Sequence, residues 1–211
     1  FVGGTGELRF VLHQHLFGFL MLGGGIGDVV LDHSLALEQG RFTYDTLIDT
    51  SPGRMTIGTA TIHDAHPHGM LTVAQVIEKS SNVGAAKMAL TMEPRSMWQM
   101  FDSLSFGTPL KLGFPGEVGG RLRPWNTWRP IEQATMSYGH GISVTLMQLA
   151  HAYLVFARDG DLIPLSLTRI DSPVPPGKQI FNQQTAHEVR NMLELAVSEG
   201  GTAPKAFIPG Y

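Results

Sequence analysis

The residues best placed to do chemistry are Ser80 and Asn82, two apart in Lys79-Ser80-Ser81-Asn82. In a turn or extended stretch, residues i and i+2 project to the same side, so these two could face one cavity while Ser81 points elsewhere. A hydroxyl can relay a proton, and a side-chain amide can donate to a substrate carbonyl while accepting from a substrate N–H. Ser and Asn between two helices are also ordinary N-caps, and the three residues taken alone favour that simpler role. A second polar concentration, His63-Asp64-Ala65-His66-Pro67-His68, carries three imidazoles. Metal binding would need them to converge at about 2.0–2.1 Å from one ion, each ring held from behind by a partner. Pro67 makes that geometry irregular and no H-E-x-x-H accompanies it, so a polar loop with local hydrogen bonds is the competing reading. His140 sits between Gly139 and Gly141, whose permissive backbone allows close approach to another chain. His140 and Gly141 could thus edge a cleft, or form a tight turn that ends a helix.

Elements that could hold these residues follow from pattern. Arg41 to Ile62 is rich in Thr and Ile, broken at Ser51-Pro52-Gly53 and Gly58, and reads as extended segments around turns. Thr72-Val73-Ala74-Gln75 is a capping box that opens a helix to about Lys79. Asn82 to Leu90 forms a second helix with Val83, Ala86, Ala89 and Leu90 inward. Pro94 suits the first turn of a third, with Met97, Phe101 and Leu104 at i, i+4, i+7. Gly107 to Trp128, with five glycines and three prolines, is a long loop region of the kind that is usually functional or mobile. Thr145-Leu146-Met147-Gln148 repeats the capping box, and the helix it opens stops at Asp159-Gly160. Leu162 to Ile170 reads as a strand that Pro164 pushes towards an edge. Asn182 begins the longest amphipathic helix, with Val189, Met192, Leu193, Ala196 and Val197 on one face and Gly200-Gly201 at its end. Helices that cluster before strands favour α+β, with helices against an antiparallel sheet, over an alternating doubly wound fold.

Composition excludes several classes of function. Charged residues make up 16% of the 211 positions and the net charge is −3 without any block of like charge, which offers no footprint for nucleic acid. The absence of cysteine removes disulfides, thiolate metal sites and a cysteine nucleophile. Glycine is the excess, at 25 residues, against a usual share of about 7%. Part of it lies in residues 1–34, a compositionally distinct, irregular and glycine-rich segment; Gly23-Gly24-Gly25-Ile26-Gly27-Asp28 fits neither phosphate-loop pattern. Phe10 to Gly27 is uncharged for 18 residues, but its histidines and glycines argue against a membrane span. A first residue other than Met, and Tyr211 following Pro-Gly, suggest a piece of a longer protein.

From Leu35 to Tyr211 the chain resembles the transpeptidase domain of class B penicillin-binding proteins, in particular the division-type peptidoglycan D,D-transpeptidases. The resemblance runs through Ala36-Leu37-Glu38-Gln39-Gly40, Ile48-Asp49-Thr50-Ser51-Pro52-Gly53, Leu71-Thr72-Val73-Ala74-Gln75-Val76-Ile77, and Lys79-Ser80-Ser81-Asn82-Val83-Gly84. It continues through Ser137-Tyr138-Gly139-His140-Gly141, Val144-Thr145 with Gln148-Leu149-Ala150, and Gly200-Gly201-Thr202-Ala203-Pro204-Lys205 with Pro209-Gly210-Tyr211. Order and spacing over about 175 residues carry it, since each segment alone is weak. The resemblance implies a partial, truncated α+β fold of the penicillin-binding protein and serine β-lactamase type.

That family works through three motifs: S-x-x-K for a serine nucleophile and its lysine base, S-x-N for a second serine and an orienting Asn, and K-[ST]-G for the strand beside the substrate. Ser80 and Asn82 take the S-x-N roles, and His140 and Gly141 edge the substrate cleft. No S-x-x-K or K-[ST]-G occurs in the 211 residues. The first would place its serine near Ile26 and its lysine near Val29; the second is expected a few residues past Tyr211. The resemblance further implies stem peptides ending in D-Ala-D-Ala and β-lactams as ligands, division-complex membrane proteins as partners, no cofactor and no metal. It also implies a location on the periplasmic face of the inner membrane, through an anchor outside this chain. A non-catalytic scaffold or peptide-binding module that lost its nucleophile is the alternative.

Overall fold

The computed structural model describes residues 26–169 and 176–207. Among the described residues seven α-helices carry the fold, in chain order α1 (Ile26–Glu38), α2 (Val73–Glu78), α3 (Asn82–Ala89), α4 (Pro94–Ser103), α5 (Pro130–Met136), α6 (Leu146–Ala157) and α7 (Gln183–Val197). Between them lie three antiparallel strand pairs. β1 (Leu47–Asp49) pairs with β4 (Met70–Thr72), β2 (Arg54–Ile57) with β3 (Ala60–His63), and β5 (Asp161–Leu162) with β6 (Lys178–Gln179). The class is α+β, as expected; among the described residues the strands form pairs and no wider sheet.

The centre of the domain is α1. Val30, Leu31, Ala36 and Leu37 are buried, and so are Asp32, His33 and Ser34, so this part of the helix is packed among its neighbours α2, α3, α4 and α7. This corrects part of the sequence reading. Residues 26–34 are not irregular: they form one continuous helix with residues 35–38, and the apparent boundary at Leu35 falls within a buried element. A composition-based boundary failed there because burial of Val30 and Leu31 in the common core outweighs the glycine just before them. The rest of the glycine-rich segment, and most of the uncharged stretch from Phe10 to Gly27, lie outside the described residues. Among those described, no helix is long and apolar enough to cross a membrane.

The caps read from the sequence are formed as hydrogen bonds. Thr72 accepts from the Gln75 N–H while Gln75 accepts from the Thr72 N–H, and Thr145 and Gln148 repeat the exchange. Asn182 caps α7 by accepting from the Thr185 N–H at 2.7 Å, and α7 then turns Thr185, Ala186, Val189, Met192 and Ala196 inward. Each fully buried large apolar side chain among these contributes about 1.5–3 kcal/mol. Gln148 has a second use. Its buried amide nitrogen donates to the carbonyls of Ser105, Thr108 and Gly119, closing the neck of the long loop that begins at Gly107.

Two elements depart from the pattern reading. The strand expected over Leu162 to Ile170 ends at Leu162. Pro164 has no N–H to donate, the Ile163 carbonyl is taken by the Nε2–H of His151 at 2.7 Å, and Ser166 turns back on Thr168; Ile170 itself lies outside the described residues. Helix α5 had no counterpart in that reading, although Pro130 at its first position and Glu132 two residues on are an N-terminal signal.

Glu132 accepts from the backbone N–H of Arg129 at 2.7 Å and pairs with Arg123 at 2.9 Å. The Arg129 bonds, aided by the Arg123 guanidinium, hold its carboxyl down from 4.5 to about 2. A carboxylate depressed on folding adds stability that is fully present above its unfolded value and fades as pH falls through its folded one. Urea midpoints of the chain and of Glu132→Gln should therefore differ at pH 6 and converge as pH drops from about 4.5 towards 2; a difference independent of pH would contradict this.

Candidate active site

The Ser80-Ser81-Asn82 turn joins α2 to α3, and its three side chains go to different partners. Ser81 is buried and caps α3, its hydroxyl accepting from the Gly84 N–H at 3.0 Å. Ser80 and Asn82 flank it, both half-buried. Ser80 has a φ of +52°, the left-handed region that costs a residue with a side chain roughly 1–2 kcal/mol. Helical hydrogen bonding ends here: the Ser80 N–H reaches the Ile77 carbonyl and the Ser81 N–H the Val76 carbonyl. The left-handed residue thus turns the chain sharply from one helix into the next. Gly84 makes that junction tight. A β-carbon on it would lie 2.6 Å from Val76 Cγ2, so only glycine lets α3 begin so close to α2.

A carboxylate seats the turn from below. Asp64 follows β3 and accepts from the Ser81 hydroxyl at 2.8 Å with one oxygen and from the Val83 N–H at 2.9 Å with the other. Negative charge at a helix N-terminus is favourable, and the Val83 N–H is one of the donors that a helix leaves unpaired at its start. The adjacent carbonyl of His63 accepts from the Asn82 amide nitrogen at 2.9 Å, which fixes the orientation of the Asn82 side chain. The histidine-rich segment therefore serves the Ser-x-Asn turn through Asp64 and a backbone carbonyl. Its imidazoles do not gather: among the described residues, no group of three or more His, Asp or Glu could hold a metal ion.

A second contact comes from the far end of the chain. The hydroxyls of Ser80 and Thr202 lie 2.8 Å apart, the Lys79 ammonium donates to the Gly200 carbonyl at 2.8 Å, and the Thr202 N–H donates to the Glu78 carbonyl at 3.2 Å. Lys79 is also paired with Glu78 at 2.8 Å. Sequence reasoning missed both Asp64 as the support of Ser81 and Thr202 as the support of Ser80. Thr202 was legible only as part of Gly200-Gly201-Thr202, and the reach of Asp64 across 17 residues leaves no periodic mark.

His140 lies exposed in the turn after α5, its ring edge-on to Tyr138 with centroids 5.5 Å apart. Gly139 and Gly141 have φ of +91° and +96°. Nothing crowds Gly141 more closely than the Met136 side chain at 3.6 Å, so glycine is needed there for backbone conformation and not for close approach. Tyr138 packs against Ile62, Val83, Ala86 and Ala134, a small core that ties this turn to β3 and α3, and burial lifts its phenol above the ordinary value. Among the described residues no hydrogen bond joins the His140 side chain to Ser80 or Asn82. The position read as that of a nucleophile, Ile26, is the first residue of α1, and Val29 closes its first turn.

A buried helix, a second helix opened by a Ser-x-Asn turn and a glycine-threonine loop beside it define the class of fold, and comparison places it. The model of the penicillin binding protein transpeptidase domain matches residues 30–211. The probable peptidoglycan D,D-transpeptidase PenA of Neisseria gonorrhoeae is 39% identical over 176 residues, covering 83% of this chain and 30% of that protein. Peptidoglycan D,D-transpeptidase FtsI of Escherichia coli K12 is 36% identical over 176 residues, covering 83% of this chain and 29% of that protein. The transpeptidase domain of Burkholderia pseudomallei penicillin-binding protein 3 superposes with a TM-score of 0.86 at 49% identity, over 89% of this chain and 57% of the other. The chain belongs to the penicillin-binding protein transpeptidase domain family. It spans less than a third of the length of these two curated relatives.

Asp64 and Ser81 act on the same helix end, so their effects should couple. Asp64→Ala, which strips two charge-assisted bonds, should cost about 2–3 kcal/mol, and Ser81→Ala about 1 kcal/mol. The double variant should cost less than the sum, since the two share a bond. Urea denaturation of the four chains measures this, and strict additivity would show that the carboxylate does not act through Ser81.

Proposed function

We propose that this chain is part of a peptidoglycan D,D-transpeptidase of the septal type, with Ser80 and Asn82 as its proton-handling serine and substrate-orienting amide. The observation that carries the reading is the turn itself: Ser80 and Asn82 remain partly accessible on either side of a buried, doubly bonded Ser81. In the complete reaction a serine oxygen attacks the carbonyl of a D-Ala-D-Ala stem peptide. A C–O bond forms, the peptide C–N bond breaks, and the terminal D-alanine leaves with a proton on its amine. An amine of a neighbouring strand then displaces the serine, which recovers its proton. Ser80 would pass protons to and from the leaving and entering amines, Asn82 would hold the peptide through its amide oxygen, and His140 and Gly141 would edge the cleft. β-Lactams would occupy the same place as the stem peptide. The parent protein would act on the periplasmic face of the inner membrane beside division-complex membrane proteins.

Within this chain the acylating pair is missing, because Ile26 and Val29 carry neither a hydroxyl nor an amine. A second reading, a non-catalytic peptide-binding module, draws support from α1. That helix runs through both positions and is buried from Val30 onward, which would leave a folded surface for binding without acylation. Coding DNA separates a damaged gene, with S-x-x-K in another frame upstream of Leu35, from an intact one encoding the same first 34 residues.

Incubating the purified chain with a fluorescent penicillin should give no covalent product after denaturing electrophoresis. A labelled, SDS-resistant band would contradict the assignment of an absent nucleophile.

A further inference from the structure

We propose that Thr202 is a positioning residue for Ser80, its hydroxyl selecting the rotamer in which Ser80 can exchange protons; this rests on the reading of Ser80 as the proton-handling serine. The two hydroxyls meet at 2.8 Å from positions 122 residues apart. Either can donate, and a proton-handling hydroxyl needs such a partner: one that can give a hydrogen bond when Ser80 is accepting and take one when Ser80 is donating. A carbonyl or an ammonium would serve only one of those states.

The surroundings hold Thr202 in place for this. The Gly201 N–H bonds to the Ser198 carbonyl, and the Ala203 N–H reaches back to Ala196 in the last turn of α7. Ala203 is buried, so the loop is rooted in the core immediately after Thr202. On the other side the Thr202 N–H and the Gly200 carbonyl are bonded to Glu78 and Lys79, the two residues before Ser80. These bonds fix the two backbones relative to each other without using either hydroxyl. The side-chain contact is therefore additional to the attachment of the loop, and Thr202, which is exposed, is not needed to fill space.

Ser80 itself has little else to define its side chain. Its backbone is in the left-handed region, so the rotamer restriction that a helical backbone imposes does not apply to it. Ser81 next to it is fixed by Asp64 and Gly84, and Asn82 by the His63 carbonyl. Thr202 supplies for the first residue of the turn what those groups supply for the other two.

The test uses the full chain and solution NMR couplings between the α and β protons of Ser80. In the unsubstituted chain they should be those of a single staggered rotamer. Thr202→Val, which keeps the shape and removes the hydroxyl, should move them to averaged values, and Thr202→Ser should restore the single rotamer. Unchanged couplings in Thr202→Val, or no restoration by Thr202→Ser, would overturn the proposal. Should Thr202→Val disturb the fold, Thr202→Ala decides by the same couplings: averaged Ser80 values are expected, and an unchanged single rotamer would overturn the proposal equally. Rotamers are read without turnover, so positioning can hold while the transpeptidase reading fails, and the reverse.

Discussion

One carboxylate organises the site. Asp64, at the end of a short hairpin, accepts from Ser81 and from the first turn of α3, and the Ser-x-Asn turn has its shape because those donors have that partner. Without it, the N-terminus of α3 would keep unpaired N–H groups close to the core, and Ser81 would have its cap but no anchor. The same segment presents the His63 carbonyl to Asn82. Two residues of a loop that reads as histidine chemistry thus fix two of the three residues in the turn.

The third is reached from the opposite end of the chain. Residues 200–202 clamp Glu78, Lys79 and Ser80 through backbone and side-chain bonds, so Ser80 stands between two supports that are remote in sequence and share no element. Such an arrangement suits a group that must keep a sparsely populated backbone conformation, because the cost of holding it is spread over several bonds in rigid surroundings. Behind both supports lies α1, whose burial sets the spacing of α2, α3 and α7. Val30, Leu31, Ala36 and Leu37 give α1 its place in that core, and Ile26 and Val29 belong to its first turn.

Elements whose signals are local were legible in the sequence. Thr72 with Gln75, Thr145 with Gln148, Asn182 and Pro94 each announce a helix by hydrogen bonds or steric fit within one turn, and each begins its helix in the structure. The role of the serine–asparagine junction as a helix cap was legible for the same reason, with Ser81 as the capping residue. What failed was non-local or masked by composition. Glycine content hid the start of α1, whose helicity is imposed by burial; Pro164 and the His151 bond ended β5 early. The link from Asp64 to Ser81 and that from Thr202 to Ser80 depend on chain reversals that no pattern of period two or 3.6 records. The family resemblance brought Gly200-Gly201-Thr202 into view but gave Thr202 no role.

Native-state hydrogen exchange at the Val83 and Gly84 amides tests most directly whether the turn is held by Asp64 and Ser81. Both amides lie in the first turn of a helix, where exchange is ordinarily fast for want of acceptors. If the carboxylate and the cap hold them, they should exchange as slowly as amides in the buried middle of α3. Exchange at the rate of an open helix end, with the interior of α3 still protected, would show that the turn is not anchored and would contradict the site as described.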